Sequence, residues 1–316
     1  MPTSPAVQMI DADKLTHGTP GGQGRDRIAR PADQVWLNGH VHEVAGPLDD
    51  LRRAIRYGDG LFATLRIDAG RLLDAERHAS RLLSGAAGIG LDPPPGFLDE
   101  RKIVERLLAA SDDLGASSGT NGVLRCQWSA VGSGRGFGRS NDSAALIELS
   151  RVPAVRRLGV RVLDTDVVPR PSIAHIKTCS ALAHVIAARL AARLGVEEVV
   201  RVYDGWLAEG ISANLFFERD GRLFTPDPGL PLYPGTVRRR VVEQAGALGI
   251  EVVEGRWEAA ELSRCDGAFL TGSVRGVEPV LRLDDRSLEP TPLIDSVSRA
   301  IAEARRADAI PLPGGS

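Results

Sequence analysis

The hydrophobic and polar positions of this chain change period several times, and each change predicts an element. "QVWLNGHVHEV" alternates on both sides of Asn38-Gly39, a dipeptide suited to a two-residue turn, and predicts a hairpin. "LFATLRIDAGRLLD" predicts a second one. The period then lengthens. In "DAERHASRLLSGAAGIGL", Ala75, His78, Leu82 and Ala86 fall three to four apart, the spacing of one helix face. "DERKIVERLLAASDDLG" predicts another amphipathic helix, and "GVLRCQWSAV" and "AALIELSRV" predict strands separated by the glycine-rich "GSGRGFGRSND".

The second half opens with the strand "VRVLDTDVV" and a helix running to Leu194. "EEVVRVYDGWLAEG" and "NLFFERDGRLFTP" each turn on an Asp-Gly pair, Asp204-Gly205 and Asp220-Gly221. "PGTVRRRVVEQAGALG" predicts a helix whose start is marked by Pro234 and Gly235. The strand "EVVEGRW", the helix "EAAELSRC" and the strand "GAFLTGS" follow. This order predicts an α/β protein of two domains, 34–150 and 161–316, with a linker at 151–160. Residues 1–33, which contain "THGTPGGQGRD", read as a flexible extension.

Composition narrows the function classes. Hydrophobic residues make up 43% and charged residues 25%, as in soluble globular proteins, and the formal charge of −2 gives nucleic acid no footing. There is no apolar run long enough to span a bilayer, and the start lacks the basic and apolar regions of a signal peptide. Cys126, Cys179 and Cys265 are widely spaced and odd in number, which predicts reduced thiols and a cytoplasmic protein. The six histidines show no zinc-like spacing with cysteines, so no metal is expected, and His40 and His42 read as a solvated strand face.

The basic residues are more informative. Of 39, only Lys14, Lys102 and Lys177 are lysines, and only Lys177, in "IAHIKTCSALAHVI", has apolar neighbours. Arginine stays charged, whereas a buried lysine can lose its proton and act as a nucleophile. A lysine that forms a Schiff base needs an aldehyde, and pyridoxal 5'-phosphate is the common one. That cofactor needs a carboxylate for its pyridine nitrogen, and an arginine with backbone N–H groups for its phosphate. Glu209 in "LAEGISANLFF", Arg81 in "RHASRL", and the helix start "YPGTVR" with Thr236 and Val237 can supply them.

These segments together resemble the fold-type IV pyridoxal-phosphate enzymes, the class IV aminotransferase family, over roughly residues 35–290. "RYGDGLFATLRI" is similar to the family's Y-G-D-G-x-F segment, "HASRL" to H-x-x-R-L, and "IKTCS" to the cofactor-lysine segment. "AEGISANLFF" is similar to E-G-x-x-x-N-x-F, "PGTVR" to the P-G-I-T-R phosphate turn, and "FLTGSVRGVEPV" to the last active-site strand. The resemblance implies a two-domain α/β fold and a homodimer. It makes Lys177 the catalytic residue, Glu209 the ring-nitrogen partner, and Arg81, Thr236, Val237 and Ser273 phosphate ligands. Four positions depart from the pattern: Ala63 where Glu is frequent, Ser180 for Asn, Tyr233 for Leu, and Val237 for Thr. Tyr233 is expected to stack on or cover the ring.

Within the family the reactions diverge after the α-proton of an amino substrate is removed. "GSGRGFG" resembles the G-G-R-G-Y loop of 4-amino-4-deoxychorismate lyases, and "TGSVRGVEPV" the N-S-L-x-G-V-x-P-V form of lyase-like members. The resemblance therefore favours elimination to pyruvate and 4-aminobenzoate, with an aminotransferase as the alternative. Arg135 and Arg275 are candidates for substrate carboxylates, and Thr64 for a proton relay. Arg135 reads equally as a solvated loop residue, Arg275 as half of a structural ion pair, and Thr64 as a β-branched strand residue.

Overall fold

The computed structural model describes residues 34–37, 40–43, 52–132, 137, 142–154, 158–164 and 171–313. The chain forms two compact units, 1–45 and 46–316. In the first, β1 (Gln34–Leu37) and β2 (His40–Glu43) pair antiparallel with Leu37 opposite His40, the hairpin predicted from Asn38-Gly39. The expected extension at 1–33 lies outside the described residues.

Among the described residues, the second unit holds three five-stranded sheets. It begins with a short helix α1 (Arg52–Tyr57), followed by β3 (Gly60–Asp68) and β4 (Arg71–Leu72). Helices α2 (Ala75–Ile89) and α3 (Glu100–Asp113) precede β5 (Gly122–Ala130) and β6 (Ser143–Ser150). Strand alternation organises this layer. Leu61, Ala63, Leu65 and Ile67 of β3 and Leu124, Cys126 and Trp128 of β5 join one core with Leu82 of α2 and Leu107 of α3. Phe62, Thr64 and Arg125 therefore face the other way. The final strand, Ile310–Pro311, pairs with β4 and closes this sheet.

In the next sheet β7 (Gly159–Asp164) and β8 (Glu198–Tyr203) run parallel, and β9 (Trp206–Leu207) pairs antiparallel with β8. Parallel neighbours need a long crossover, which passes through α4 (Pro171–Ala174) and α5 (Leu182–Leu194). The third sheet contains β10 (Asn214–Arg219) and β11 (Arg222–Pro226), paired across Asp220-Gly221. Helix α6 (Thr236–Ala245) precedes β12 (Val252–Gly255), β13 (Gly267–Gly272) and β14 (Gly276–Pro279). The run "NLFFE" has no alternation because β10 is buried on both faces. Leu215 and Phe217 pack with Val160 and Val200 of the neighbouring sheet. Phe216 packs with Val237 and Val241 of α6.

Two differences from the sequence reading stand out. "EAAELSRC", expected as a helix, forms one of the 3-10 kind, Ala259–Arg264, and Leu262 is its buried side chain. The expected elements also ended at "GAFLTGS", whereas a 16-residue helix spans Pro292–Ala307. Its signals were present. Thr291 caps it by accepting from the Ile294 N–H at 3.2 Å, Pro292 opens it, and Ile294, Val297 and Ile301 are spaced along its buried face.

Candidate active site

Lys177 lies between α4 and α5, beside the start of β3. Its carbonyl accepts from the Phe62 N–H at 2.9 Å, and the Cys179 N–H donates to the Gly60 carbonyl at 2.8 Å. This pairing explains the "YGDG" segment. Gly58 has φ 63°, and a Cβ there would lie within 2.9 Å of three Ser180 atoms. Lys177 Nζ sits 4.9 Å from the Phe62 ring centroid and 5.2 Å from that of Tyr233. Three adjoining cavities share Lys177 and Tyr233. Burial pushes the Lys177 pKa below the usual lysine range; Glu209 opposes this, and the guanidiniums of Arg125 and Arg81 add to it. The cavities reach the side chain, so the residue keeps some accessible surface while its ammonium is desolvated.

Glu209 is buried, and donors grip both of its oxygens. Oε1 accepts from Arg201 Nη2 at 2.9 Å, and His184 Nε2 lies 3.8 Å from it. Oε2 accepts from the Tyr233 N–H at 2.9 Å and from Asn214 Nδ2 at 3.5 Å. The Asn214 amide also donates to the Tyr233 carbonyl at 2.7 Å and accepts from the Gly235 N–H at 3.0 Å. A Cβ on Gly235 would fall 2.4 Å from Asn214 Oδ1, which is why the turn before α6 carries glycine. The "E-G-x-x-x-N" and "P-G" segments, distant in sequence, thus form one hydrogen-bonded unit.

A small cavity of about 50 Å³ is lined by Lys177, Glu209, Thr236, Val237, Thr271 and Ser273, among others. Helix α6 begins at Thr236 with no side-chain cap, so its first-turn N–H groups have no partners within the helix. Among the described residues, the hydroxyls of Thr236 and Thr271 and Nε2 of His78 are buried there without a hydrogen-bond partner. Burial pushes the His78 imidazole down to about 4, which leaves it neutral beside the cations of the site. Free hydroxyls at a helix N-terminus fit a phosphate. With the Lys177 amine and the Glu209 carboxylate on the same cavity, the set fits pyridoxal phosphate. Val237 stands where the family often has threonine, and Thr236, one residue earlier, carries a hydroxyl on the same cavity.

Arg81 reaches the same turn. It donates to the Pro234 carbonyl, and its guanidinium lies 4.7 Å from the Tyr233 ring centroid. It lines a neighbouring cavity with Lys177 and Tyr233.

On the other side of Lys177 opens a cavity of about 730 Å³. Thr64 and Arg125, directly opposite on β3 and β5, both line it. The Arg125 guanidinium lies 3.7 Å from the Phe62 ring centroid and bonds Gln127 at 3.4 Å. Among the described residues no carboxylate pairs with it. Arg275 is exposed and also lines this cavity; its Nη1 contacts the two Glu278 oxygens at 3.2 and 2.9 Å, the ion pair that the sequence left as one alternative. Arg135 lies outside the described residues. Glu198 lines the same cavity, and burial pushes its carboxyl up to about 7 although backbone N–H groups of Ile211, Val199 and Ser212 oppose the shift.

Arg125, His184, Arg201, Asn214 and Thr271 were not singled out from sequence. Arg125 had a signal, because "VLRCQW" alternates and places it on the face of β5 opposite to the core. Asn214 stood inside a quoted motif, but its role depends on the turn it holds. Among the described residues no group of side chains is arranged to hold a metal ion. No helix there is long and apolar enough to cross a membrane.

Comparison with known proteins agrees with the family resemblance read from the sequence. The family model for amino-transferase class IV matches residues 60–283. A bifunctional aminodeoxychorismate lyase / D-amino acid transaminase of Mycobacterium tuberculosis is 32% identical, covering 85% of this chain and 98% of that protein. The branched-chain aminotransferase of Thermoproteus uzoniensis, solved with norvaline, superposes with TM-score 0.76 at 22% identity, covering 89% of this chain and 100% of that one. A hypothetical aminotransferase from Mycobacterium tuberculosis in its pyridoxal-phosphate-bound form superposes with TM-score 0.71 at 29% identity, covering 85% and 97%.

Proposed function

The chain belongs to the amino-transferase class IV family, and on that premise we propose that it is a lyase that converts 4-amino-4-deoxychorismate to pyruvate and 4-aminobenzoate. Enzymes of this family work with pyridoxal phosphate, and the residues around Lys177 fit it. When bound, the cofactor supplies an aldehyde that condenses with amines and a protonated ring that accepts electrons from a breaking bond. Lys177 is the amine that would hold it, and its side chain is placed to take the α-proton of an amino substrate. Its lowered pKa suits the second task. Glu209 would face the ring nitrogen, while Thr236, Val237, Ser273 and Arg81 would hold the phosphate end.

The observation that carries the lyase reading is the cavity of about 730 Å³ beside Lys177, with the Arg125 guanidinium facing into it. It has room for a cyclic substrate, and a guanidinium recognises a carboxylate. Support comes from the relative that is named as both lyase and transaminase. Thr64, across from Arg125, is positioned on that cavity to pass a proton during elimination. An aminotransferase is the second reading. Glu278 occupies Arg275, and among the described residues no carboxylate pairs with Arg125, which suits a substrate with one carboxylate.

Purified protein given 4-amino-4-deoxychorismate should release 4-aminobenzoate and pyruvate in equal amounts. If it releases none, yet an amino acid alone reversibly bleaches the visible band and a keto acid restores it, the aminotransferase reading replaces it. We further infer a cytoplasmic homodimer. Ile55 of α1 and Leu182 of α5 are exposed apolar side chains that such an interface would cover. Light scattering on the eluting protein tests it.

A further inference from the structure

Arg201 lies near the middle of β8 and is fully buried, at 0% exposure. Its Nη2 donates to Glu209 Oε1 at 2.9 Å and to the Gly210 carbonyl at 3.0 Å. The backbones are also tied: the Arg201 N–H donates to the Glu209 carbonyl at 3.0 Å, and the Ala208 N–H to the Arg201 carbonyl at 2.8 Å. Both side chains are therefore held by the same strand pairing. Arg201 lines none of the three cavities around Lys177, so it has no path to a ligand of its own. Among the described residues its Nε and Nη1 have no hydrogen-bond partner. Glu198, the other carboxylate on this strand, has Oε1 engaged by the Ile211 and Val199 N–H groups.

We propose that Arg201 is a positioning residue that holds Glu209 ionised and oriented for the cofactor's ring nitrogen, an inference that rests on the pyridoxal-phosphate reading above. A carboxylate as buried as Glu209 tends to take up a proton when it has no counter-ion. A neutral Glu209 can no longer stabilise a positive ring nitrogen. Guanidinium does not deprotonate in proteins, so Arg201 sets a lasting positive charge and a hydrogen bond against Glu209 Oε1 and fixes the carboxylate's orientation. Arg201 thus acts through Glu209 and touches no reacting atom.

The test uses full-length holoenzyme loaded with pyridoxal phosphate carrying ¹⁵N in its ring. The ¹⁵N shift reports ring protonation directly, which a merely structural residue would not move. At neutral pH the wild type should show a protonated nitrogen. Arg201→Met should move it toward the neutral value, as Glu209→Gln does, and lower kcat by about tenfold or more. Arg201→Lys, which keeps the charge, should restore most of the wild-type shift. Arg201→Met/Glu209→Gln should match Glu209→Gln alone, because two residues that act as a unit do not add. If Arg201→Met fails to fold, the double variant, which has no unpaired buried charge, carries the test. A protonated nitrogen in Arg201→Met, or a further loss in the double variant beyond Glu209→Gln, overturns the proposal. If borohydride fixes no pyridoxyl group on wild-type Lys177, the cofactor reading itself fails, and the proposal with it.

Discussion

On the Glu209 side of Lys177 the carboxylate and the Asn214 amide are tied to backbone and to one another. Glu209 answers to Arg201, Asn214 and the Tyr233 N–H, and Asn214 answers to the turn that starts α6. On the Arg125 side the walls are mainly apolar side chains such as Ile173, Ala181, Ile211 and Leu270, with a few charges. Arg125 rests on a phenyl ring and Arg275 is held by Glu278. A site anchored through backbone accepts one shape. A roomy site made of side chains can change its ligand by a few substitutions, without disturbing the strands that carry them. The first side suits an invariant cofactor and the second a variable substrate.

Replacing Lys177 tests the shared centre and should have the largest effect. Lys177→Ala should lose turnover by on the order of 10³–10⁴-fold, since both the holding amine and the proton acceptor are removed. Borohydride should no longer fix the cofactor to the peptide that bears residue 177, as mass spectrometry would show.

Arg81→Ala and Arg125→Ala separate the two sides. Each removes a charge-assisted contact worth about 1.5–3 kcal/mol, or roughly ten- to hundredfold. For Arg81→Ala that loss should appear as weaker cofactor binding in a titration of the visible band. For Arg125→Ala it should appear as a raised KM with the cofactor spectrum unchanged. A weakened cofactor in Arg125→Ala would mean the two sides are not independent.

Glu198 gives a smaller effect, read in stability. Its carboxyl titrates at about 7 in the fold against a usual 4.5. Between those values the unfolded chain releases a proton that the fold retains. The stabilisation is therefore complete below 4.5 and is lost as pH rises through about 7. Glu198→Gln should remove that slope and raise stability near neutral pH by about 1–3 kcal/mol, measured by urea unfolding on both sides of the window. The smallest change is expected for Arg275→Ala, whose guanidinium is exposed and already paired. KM should move by less than about threefold, as for most surface ion pairs. A larger rise would show that substrate displaces Glu278 and would strengthen the two-carboxylate reading.

Lys177, Glu209, Arg81 and the turn at 234–237 were legible because each depends on short segments whose order and residue types are constrained together. The β10–β11 hairpin was legible from Asp220-Gly221, and α2 from its apolar spacing. The helix at 292–307 was missed although its cap, proline and apolar spacing are all local. Arg275 presented two meanings in sequence. Only the fold brings Glu278 onto its guanidinium, at 2.9 Å.

By itself, the sequence determined the local periods, the turns, and the residue types that a lysine-held cofactor requires. Tertiary structure alone decided which groups share a cavity and in what state. Arg125 meets Thr64 only because β3 and β5 pair in one register, Thr64 opposite Arg125. Arg201 reads as an unremarkable charge in "EVVRVY" until the strand pairing buries it against Glu209. The lowered pKa of Lys177 likewise follows from burial. Desolvation and electrostatic pairing depend on the atoms packed around a group, and those come from segments far apart in the chain.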